Sequence, residues 1–300
     1  MSSAITTLLT GYAFLEGPRW HEGRLWLSDM YTHQVVSVTA DGGDPRVEAR
    51  VPGRPSGLGW LPDGRLLIVS MRDRLLLRRE PDGALVTHAD LSGHAIGHLN
   101  DMAVDRHGRA YIGSFGFDLG AAESPRPASL LRADPDGTVT EVAEDLWFPN
   151  GCVITGDDVL LVNETLGNRI TAFDIGPGGA LGNRRVWARF GDLPGEADLG
   201  TVLAQVVVGG DGSALDADGG LWVADAVHAR LLRVLAGGTI TDEIVLPTGV
   251  FACALGGAEG RTLFACTAPD FDEHARSNAR EAAVVALRVP IAAAETPALS

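Results

Sequence analysis

Four side chains with oxygen donors share one position in a recurring stretch of the sequence. They are Glu16, Asn100, Asn150 and Asp211. Each stands eight or nine residues before the second residue of the next β-hairpin, and those hairpin residues are Arg24, Arg109, Asp158 and Gly220. Two carboxylates and two amide carbonyls form an oxygen-only donor set that suits a hard divalent cation. The carboxylates also balance the charge of such an ion, and without one they would repel each other.

Two further repeats carry weaker donors at the same position. Ser56 stands nine residues before its hairpin residue, Arg65, and Thr248 stands thirteen before Arg261. Glycine follows the donor in five of the six repeats. Asn-Gly and Asp-Gly are good turn formers, so any one of these residues taken alone also fits a turn. A turn does not account for Glu16, or for oxygen-bearing side chains in all six repeats, and the set therefore predicts a metal site.

Six hairpin-like repeats must position these donors. The hairpin residues Arg24, Arg65, Arg109, Asp158, Gly220 and Arg261 lie 41, 44, 49, 62 and 41 residues apart. Turns such as EPDGA and ADPDG separate β-rich runs, and Asp-Gly between alternating apolar residues is a strong hairpin signal. Repeats of about 40–50 residues with four short strands are typical of propeller blades. The sequence therefore predicts an all-β fold, one six-bladed β-propeller domain spanning residues 1–300 with a central metal site.

Fold logic adds expectations outside the six repeats. The strand around Ala4–Tyr12 should close the ring by pairing into the last blade, because an open sheet edge is a liability. Insertions at Gly116–Ala128 and Gly191–Gly210 are candidate lids on the binding face, with disordered surface loops as the alternative. Aromatic residues beside the inner strands are candidates for an apolar pocket wall or for core packing: Phe115, Phe117, Trp147 and Phe148.

Composition excludes several classes of function. The formal net charge of −15 disfavours nucleic acid as a partner. The 24 basic residues are all arginine, so Schiff-base chemistry and a P-loop lysine are absent. Three scattered cysteines favour buried thiols over a disulfide framework. The N-terminus does not look like a signal peptide and no apolar run is long enough for a membrane span, which predicts a cytoplasmic protein with no membrane partner. The oligomeric state stays open.

Motifs of other enzyme classes are missing. Gly113-Ser114-Phe115-Gly116 has the wrong spacing for the nucleophile elbow of a serine hydrolase. His-Glu-x-x-His does not occur, and no glycine-rich motif lies in the strand–helix context that a dinucleotide fold requires.

Several motifs together resemble the senescence marker protein / gluconolactonase / luciferin-regenerating enzyme family. The matching stretches are LEGPRW from Leu15, LNDMAVD from Leu99, FPNG from Phe148, NETLGNRITAFDI from Asn163 and DGSALDADGGLWVAD from Asp211. The resemblance covers essentially the whole chain and implies a metal-dependent lactonase or esterase. It also implies that Glu16, Asn150 and Asp211 are the core ligands, with Asn100 a fourth ligand or acting through water. The ion is most simply Ca²⁺, with Zn²⁺, Mn²⁺ and Mg²⁺ open.

Three positions depart from the family pattern. Gluconolactonases of this family often have arginine where this chain has His98, two residues before the Asn-Asp pair. Met102 replaces the common glycine after that pair, and Gly210 replaces the usual proline before Asp211. These changes touch the substrate pocket more than the ligands, and they put sugar-acid lactones in doubt as substrates.

The expected chemistry is attack of water on the carbonyl of a small lactone or ester. A divalent cation polarises the carbonyl and stabilises the oxyanion. Asp211 is the candidate base, with pure ligation as the alternative. His98 is a candidate for orienting substrate or moving protons, or is a solvated loop residue. Asn100 completes the candidate catalytic set.

Two other functions fit the same residues. The metal could act on another electrophile, in phosphoester hydrolysis or a biosynthetic ring-opening or isomerising step. The propeller could also be a non-enzymatic binding module with a structural metal. Fold alone does not separate these readings.

Overall fold

The computed structural model describes residues 4–121, 123–195 and 197–294. Its strands form six four-stranded antiparallel sheets, the blades of a six-bladed β-propeller, so the predicted fold class is confirmed. Blade 1 comprises β2 (Leu15–His21), β3 (Arg24–Asp29), β4 (Gln34–Val38) and β5 (Arg46–Arg50). Blade 2 comprises β6 (Pro55–Trp60), β7 (Leu66–Ser70), β8 (Leu75–Arg79) and β9 (Leu85–Asp90). Blade 3 comprises β10 (Leu99–Val104), β11 (Ala110–Ser114), β12 (Ala128–Ala133) and β13 (Val139–Leu146). Blade 4 comprises β14 (Pro149–Ile154), β15 (Val159–Glu164), β16 (Arg169–Ile175) and β17 (Leu181–Arg189). Blade 5 comprises β18 (Gly210–Leu215), β19 (Leu221–Asp225), β20 (Arg230–Val234) and β21 (Ile240–Val245). Blade 6 comprises β22 (Gly249–Gly256), β23 (Thr262–Ala268), β24 (Ala282–Arg288) and β1 (Thr6–Tyr12).

The first strand of each repeat lies at the propeller axis. β2, β6, β10, β14, β18 and β22 contact one another in turn around the ring. The second strands are the most deeply buried, and all five residues of β7 and of β11 are buried. Apolar side chains fill the space between neighbouring blades, as Val35, Leu58 and Ile68 do between blades 1 and 2. Each such side chain contributes about 1.5–3 kcal/mol by leaving water.

The N-terminal strand closes the ring. β1 pairs antiparallel with β24, with Thr6 opposite Ala286 and Tyr12 opposite Ala282. The last blade therefore takes its outermost strand from the other end of the chain, which ties the first and last blades together. The predicted closure is confirmed.

A register shift recurs near the start of every innermost strand. In β10, Leu99 pairs with Ser114 and the next pair is Met102 with Ile112, so β10 carries one extra residue. β2, β6, β14, β18 and β22 have the same irregularity. A bulge of this kind changes the direction of a side chain that would point to one face of the sheet in a regular strand.

The glycines that follow the oxygen donors permit close contact between inner strands. A Cβ atom on Gly17 would lie 2.5 Å from the Ser56 carbonyl oxygen, and one on Gly151 would lie 2.3 Å from that of Asp211. Any side chain there would push neighbouring blades apart at the axis.

Two short helices lie in loops between strands. α1 (Leu199–Leu203) is capped by the preceding residue, Asp198, whose carboxylate accepts a hydrogen bond from the Thr201 N–H at 3.0 Å. α2 (Glu273–Asn278) is capped by the preceding residue, Asp272, whose carboxylate accepts a hydrogen bond from the Ala275 N–H at 2.7 Å. Side chains at helix N-termini that accept such bonds satisfy otherwise unpaired donors. No helix in the described ranges is long and apolar enough to span a membrane.

Candidate active site

A cavity of ≈ 950 Å³ opens at the end of the propeller where the innermost strands begin. Glu16, Asn100, Asn150 and Asp211 all line it, each as the second residue of its strand. The structure therefore brings together the four oxygen donors selected from the sequence.

The prediction that Thr248 occupies the sixth axial position is wrong. Thr248 precedes β22, its hydroxyl donates to the Ala268 carbonyl oxygen at 3.0 Å, and it is not among the described cavity-lining residues. The register shift of β22 falls between Val250 and Ala252, which puts Phe251 at the equivalent position, and Phe251 lines the cavity. The thirteen-residue interval of Thr248, against eight or nine elsewhere, was the available signal.

Burial and neighbouring negative charges raise the pKa values of both axial carboxyls. Desolvation, then the charges of Glu16 and Asp101, raise the pKa of Asp211 well above its usual range. Desolvation and the charge of Asp101 raise the pKa of Glu16 to about 8. Asp101 itself is paired with Arg19 at 2.6 Å. Two carboxyls in this environment cannot both ionise cheaply without a compensating cation.

The donor atoms fit a divalent ion. Among the described residues, Asp211 Oδ1 is a buried oxygen with no hydrogen-bond partner. Asn150 Nδ2 donates to Thr165 Oγ1 at 3.1 Å and Asn100 Nδ2 donates to the Pro149 carbonyl oxygen at 3.4 Å, which leaves both amide oxygens available as ligands. The described ranges contain no group of three His, Cys, Asp or Glu side chains able to hold a metal. Any site here is therefore a mixed set of two carboxylates and two amides.

Buried carboxylates fix the segments that lead into three of these donors. Each terminates the second strand of its blade and accepts hydrogen bonds from main-chain N–H groups just before the donor. Asp29 accepts from Phe14 N at 3.0 Å, Glu164 from Trp147 N at 2.8 Å, and Asp225 from Gly209 N at 3.0 Å. The donors positioned in this way are Glu16, Asn150 and Asp211. Sequence reasoning did not identify these carboxylates, although each ends a β-rich run.

Aromatic side chains form part of the cavity wall. Phe115, Phe117 and Phe148 line the cavity, and the Phe115 and Phe148 rings stack with centroids 4.4 Å apart. Trp147 does not line it; this residue is buried in a core cluster. The apolar-wall interpretation therefore holds for three residues, and core packing is correct for Trp147.

His98 also lines the cavity, and it is half-buried rather than fully solvated. Its ring lies 5.7 Å from the Phe115 ring. Desolvation is the main cause that lowers the pKa of His98, so the ring is mostly neutral near pH 7. A neutral imidazole can both donate and accept a hydrogen bond within the cavity.

Both predicted insertions contribute to the cavity. Phe117, Asp118 and Leu119 come from the first, and Leu199 and Leu203 of α1 come from the second. A third contributor, the loop around α2 between β23 and β24, was not predicted from the sequence. It spans residues 269–281, whereas residues 30–33 suffice between the same strands of blade 1. That extra length was a readable signal.

The fold and the axial cavity define a six-bladed propeller with an oxygen-lined pocket at one end of its axis. Residues 14–269 match the SMP-30/gluconolactonase/LRE-like family, and the chain belongs to this family.

Known relatives span most of the chain. An L-arabinolactonase of Azospirillum brasilense is 28% identical over 257 residues, covering 82% of this chain and 78% of the relative. The pentonolactonase XacC of Haloferax volcanii is 28% identical over 261 residues, covering 84% and 81%. Among solved structures, the calcium-binding protein regucalcin from Agrobacterium tumefaciens superposes with a TM-score of 0.78 at 21% identity, covering 99% of this chain and 98% of that one. The structural likeness concerns the fold alone.

Proposed function

We propose that this protein is a metal-dependent lactonase that opens a small lactone or related ester by hydrolysis. One observation carries the proposal: Asp211, whose buried Oδ1 has no hydrogen-bond partner among the described residues, lines a substrate-sized cavity together with Glu16, Asn100 and Asn150. The two relatives described above are named as lactonases, which supports the reaction class. The substrate is a small molecule, and a cavity of ≈ 950 Å³ accommodates one.

Glu16, Asn150 and Asp211 would hold the ion, with Asn100 as a fourth ligand or one water away. An oxygen-only set favours Ca²⁺ over Zn²⁺, which prefers nitrogen and sulfur ligands. When bound, the cation supplies polarisation of the substrate carbonyl and neutralises the two carboxylates.

Asp211 would take the proton from the attacking water. Its Oδ1, which has no hydrogen-bond partner among the described residues, can accept that proton once the carboxyl group is ionised. Water adds to the carbonyl carbon, the ring C–O bond breaks, and the departing oxygen receives a proton, giving a hydroxy acid. The proton that reaches this oxygen is the one that Asp211 took from water, and His98, neutral and at the cavity wall, would donate a hydrogen bond to the oxygen or orient the substrate. The Phe115–Phe148 stack makes one side of the cavity wall apolar.

The test is turnover against added metal for Asp211→Asn. Asparagine keeps the shape and one ligating oxygen but cannot take a proton. We expect the variant to fold, to bind metal more weakly, and to lose roughly 10²-fold or more in kcat on a lactone panel at saturating metal.

The matched control is Asp174→Asn, an aspartate on the exposed outer part of blade 4, which should behave as wild type. Elemental analysis and circular dichroism of each variant separate metal loss and misfolding from loss of chemistry. Full recovery of turnover in Asp211→Asn with excess metal would remove Asp211 as the base, and His98 would be the next residue to test. A wild-type protein with no hydrolysis of any lactone would overturn the proposed function.

A further inference from the structure

A second ring of residues lies above the oxygen donors. In blades 1 to 4 it consists of Phe14, Arg54, His98 and Phe148, each two residues before the axial position, and all four line the cavity. The carbonyl oxygen of each accepts a main-chain hydrogen bond from a residue just after the second strand of its blade, for example Arg54 from Met71 at 2.9 Å and His98 from Phe115 at 2.9 Å. Arg54 is therefore the structural counterpart of His98 in the neighbouring blade, and it alone of the four has a permanent charge.

Arg54, like its counterpart Phe148 in blade 4, has a left-handed backbone conformation. Arg54 has φ +74, a left-handed conformation that a residue with a side chain rarely adopts, and its N–H donates to the Val51 carbonyl oxygen at 3.0 Å. Such conformations persist where the surrounding structure fixes them, and they cluster at functional sites. The axial residue of the same blade, Ser56, is buried and does not line the cavity. Arg54 is thus a main polar contribution of blade 2 to the cavity.

The guanidinium is buried and only partly satisfied. The side chain is 9% exposed, and its Cζ lies 5.0 Å from the centre of the Tyr31 ring. Within the described residues, Nε is buried without a hydrogen-bond partner, and the ion-pair contact is a single bond from Nη2 to Glu273 Oε1. A guanidinium can bind a carboxylate through two parallel bonds, so this contact leaves donor capacity unused.

The partner, Glu273, comes from α2, outside the ring of blades. Its side chain is 48% exposed, so releasing it to water costs little. Asp118 and Asp272, which also line the cavity, are acidic and exposed, and the other lining arginine, Arg72, is exposed as well. Away from the axial donors, a negative group that enters the cavity is therefore stabilised chiefly at Arg54.

We propose that Arg54 is a substrate-binding residue that takes a carboxylate, or a comparable anionic oxygen group, carried on the lactone away from the reacting carbonyl. Glu273 occupies the same atoms in the free protein and is displaced by the substrate. This inference rests on the proposed lactone hydrolysis and narrows its substrate class to acidic lactones. A neutral lactone leaves the Arg54–Glu273 pair intact and gains nothing from it.

The experiment compares two lactones that differ in one charge. The probes are 5-oxotetrahydrofuran-2-carboxylate and the corresponding 2-carboxamide, hydrolysed by the full-length, metal-loaded protein. Arg54→Gln should lower kcat/KM for the carboxylate about 10- to 100-fold, the range of a buried charge-assisted hydrogen bond, and for the carboxamide no more than about threefold. Glu273→Gln should raise kcat/KM for the carboxylate about 2- to 5-fold, mainly through KM, since it removes a competing exposed ion pair.

Arg288→Gln is the control, because Arg288 forms an exposed ion pair with Glu259 on blade 6. It should leave both lactones unaffected. Arg54→Lys keeps the charge without the fork and should fall between wild type and Arg54→Gln; it also serves if Arg54→Gln does not fold.

The outcomes separate this inference from the proposed function. Equal carboxylate-to-carboxamide ratios in wild type and Arg54→Gln would overturn the role of Arg54 while leaving lactone hydrolysis in place. Absence of hydrolysis in every protein would instead overturn the proposed function. The role of Arg54 is then decided by calorimetry with tetrahydrofuran-2-carboxylate, which should bind wild type about 10-fold or more tightly than Arg54→Gln. Equal affinities there would again contradict it.

Discussion

Blades 1, 4 and 5 differ from blades 2, 3 and 6 at the end of the second strand. In the first group that strand ends in a buried carboxylate, and in the second it ends in a serine or an alanine; the six residues are Asp29, Glu164 and Asp225 against Ser70, Ser114 and Ala268. The first group also carries the three donors Glu16, Asn150 and Asp211. Each of these three donors therefore has a buried carboxylate, here called its anchor, at the end of the neighbouring strand of its blade.

The difference separates the blades with anchored oxygen donors from the blades that contribute only wall residues or a donor without an anchor. A carboxylate that accepts main-chain N–H groups holds the segment before the donor, so the donor side chain starts from a fixed backbone. Blades 2 and 6 lack both this anchor and an axial oxygen donor in the cavity lining, and they contribute wall residues such as Arg54 and Phe251.

Blade 3 is intermediate between the two groups. Asn100 carries an oxygen donor but has no carboxylate anchor in its own blade, and the amide is held by the Pro149 carbonyl oxygen of blade 4 at 3.4 Å. A weaker hold of this kind fits a donor that acts at longer range or through water.

The largest effect is expected from a change to the blade 4 anchor, Glu164. Glu164 Oε2 accepts from Trp147 N, and its carboxylate is also bonded by Arg169 Nε at 2.7 Å. Glu164→Gln should cost about 3 kcal/mol, because it leaves a partly buried arginine without its counter-charge. It should also weaken metal affinity about 10-fold or more, as loss of a supporting residue does. Urea unfolding and metal titration measure the two effects.

Ser70→Ala is the matched change in blade 2. Ser70 donates to Asp73 at 2.8 Å, and its loss should cost about 1 kcal/mol with metal affinity unchanged. If both variants weakened metal binding equally, the anchors would have no special role.

Removing the metal should make stability fall as pH rises. The folded-state pKa of Glu16 is raised to about 8, above its unfolded value, so folding binds an extra proton. That contribution is present below about pH 4.5 and is lost as the pH rises through 8. We expect chelated protein to lose about 2 kcal/mol between pH 5 and pH 8, a discounted figure because cavity water screens part of the effect. Unfolding at several pH values measures it.

Added metal should flatten that pH profile, because it stabilises the ionised carboxylates. Glu16→Gln should flatten it partly without metal and should also retain less metal after chelation. A chelated wild-type protein whose stability is constant from pH 5 to pH 8 would contradict the raised pKa.

The sequence predicted the repeat count, the closing strand and the four axial donors, because hairpin turns and strand starts are local signals. It failed where spacing changed: β22 is longer than the other innermost strands, so Thr248 was placed where Phe251 stands. It also missed anchors such as Glu164 and the Arg54–Glu273 pair. These depend on contacts between residues far apart in the chain, up to 219 residues for that pair, and no local pattern contains such information.

The smallest expected effect concerns Thr248, and it tests whether blade 6 belongs with the blades that lack a donor. The Thr248 hydroxyl donates to the Ala268 carbonyl oxygen in a partly buried turn outside the cavity lining. Thr248→Ala should therefore cost about 0.5–1 kcal/mol, the value of one such hydrogen bond. Metal affinity and kcat should stay within about twofold of wild type, because the residue that faces the cavity from this blade is Phe251. Thr248→Ser keeps the hydroxyl and should recover most of the lost stability. Thermal unfolding and metal titration of the three proteins decide the matter: a loss of metal in Thr248→Ala comparable to that of Glu16→Gln would restore Thr248 as a donor and place blade 6 with blades 1, 4 and 5.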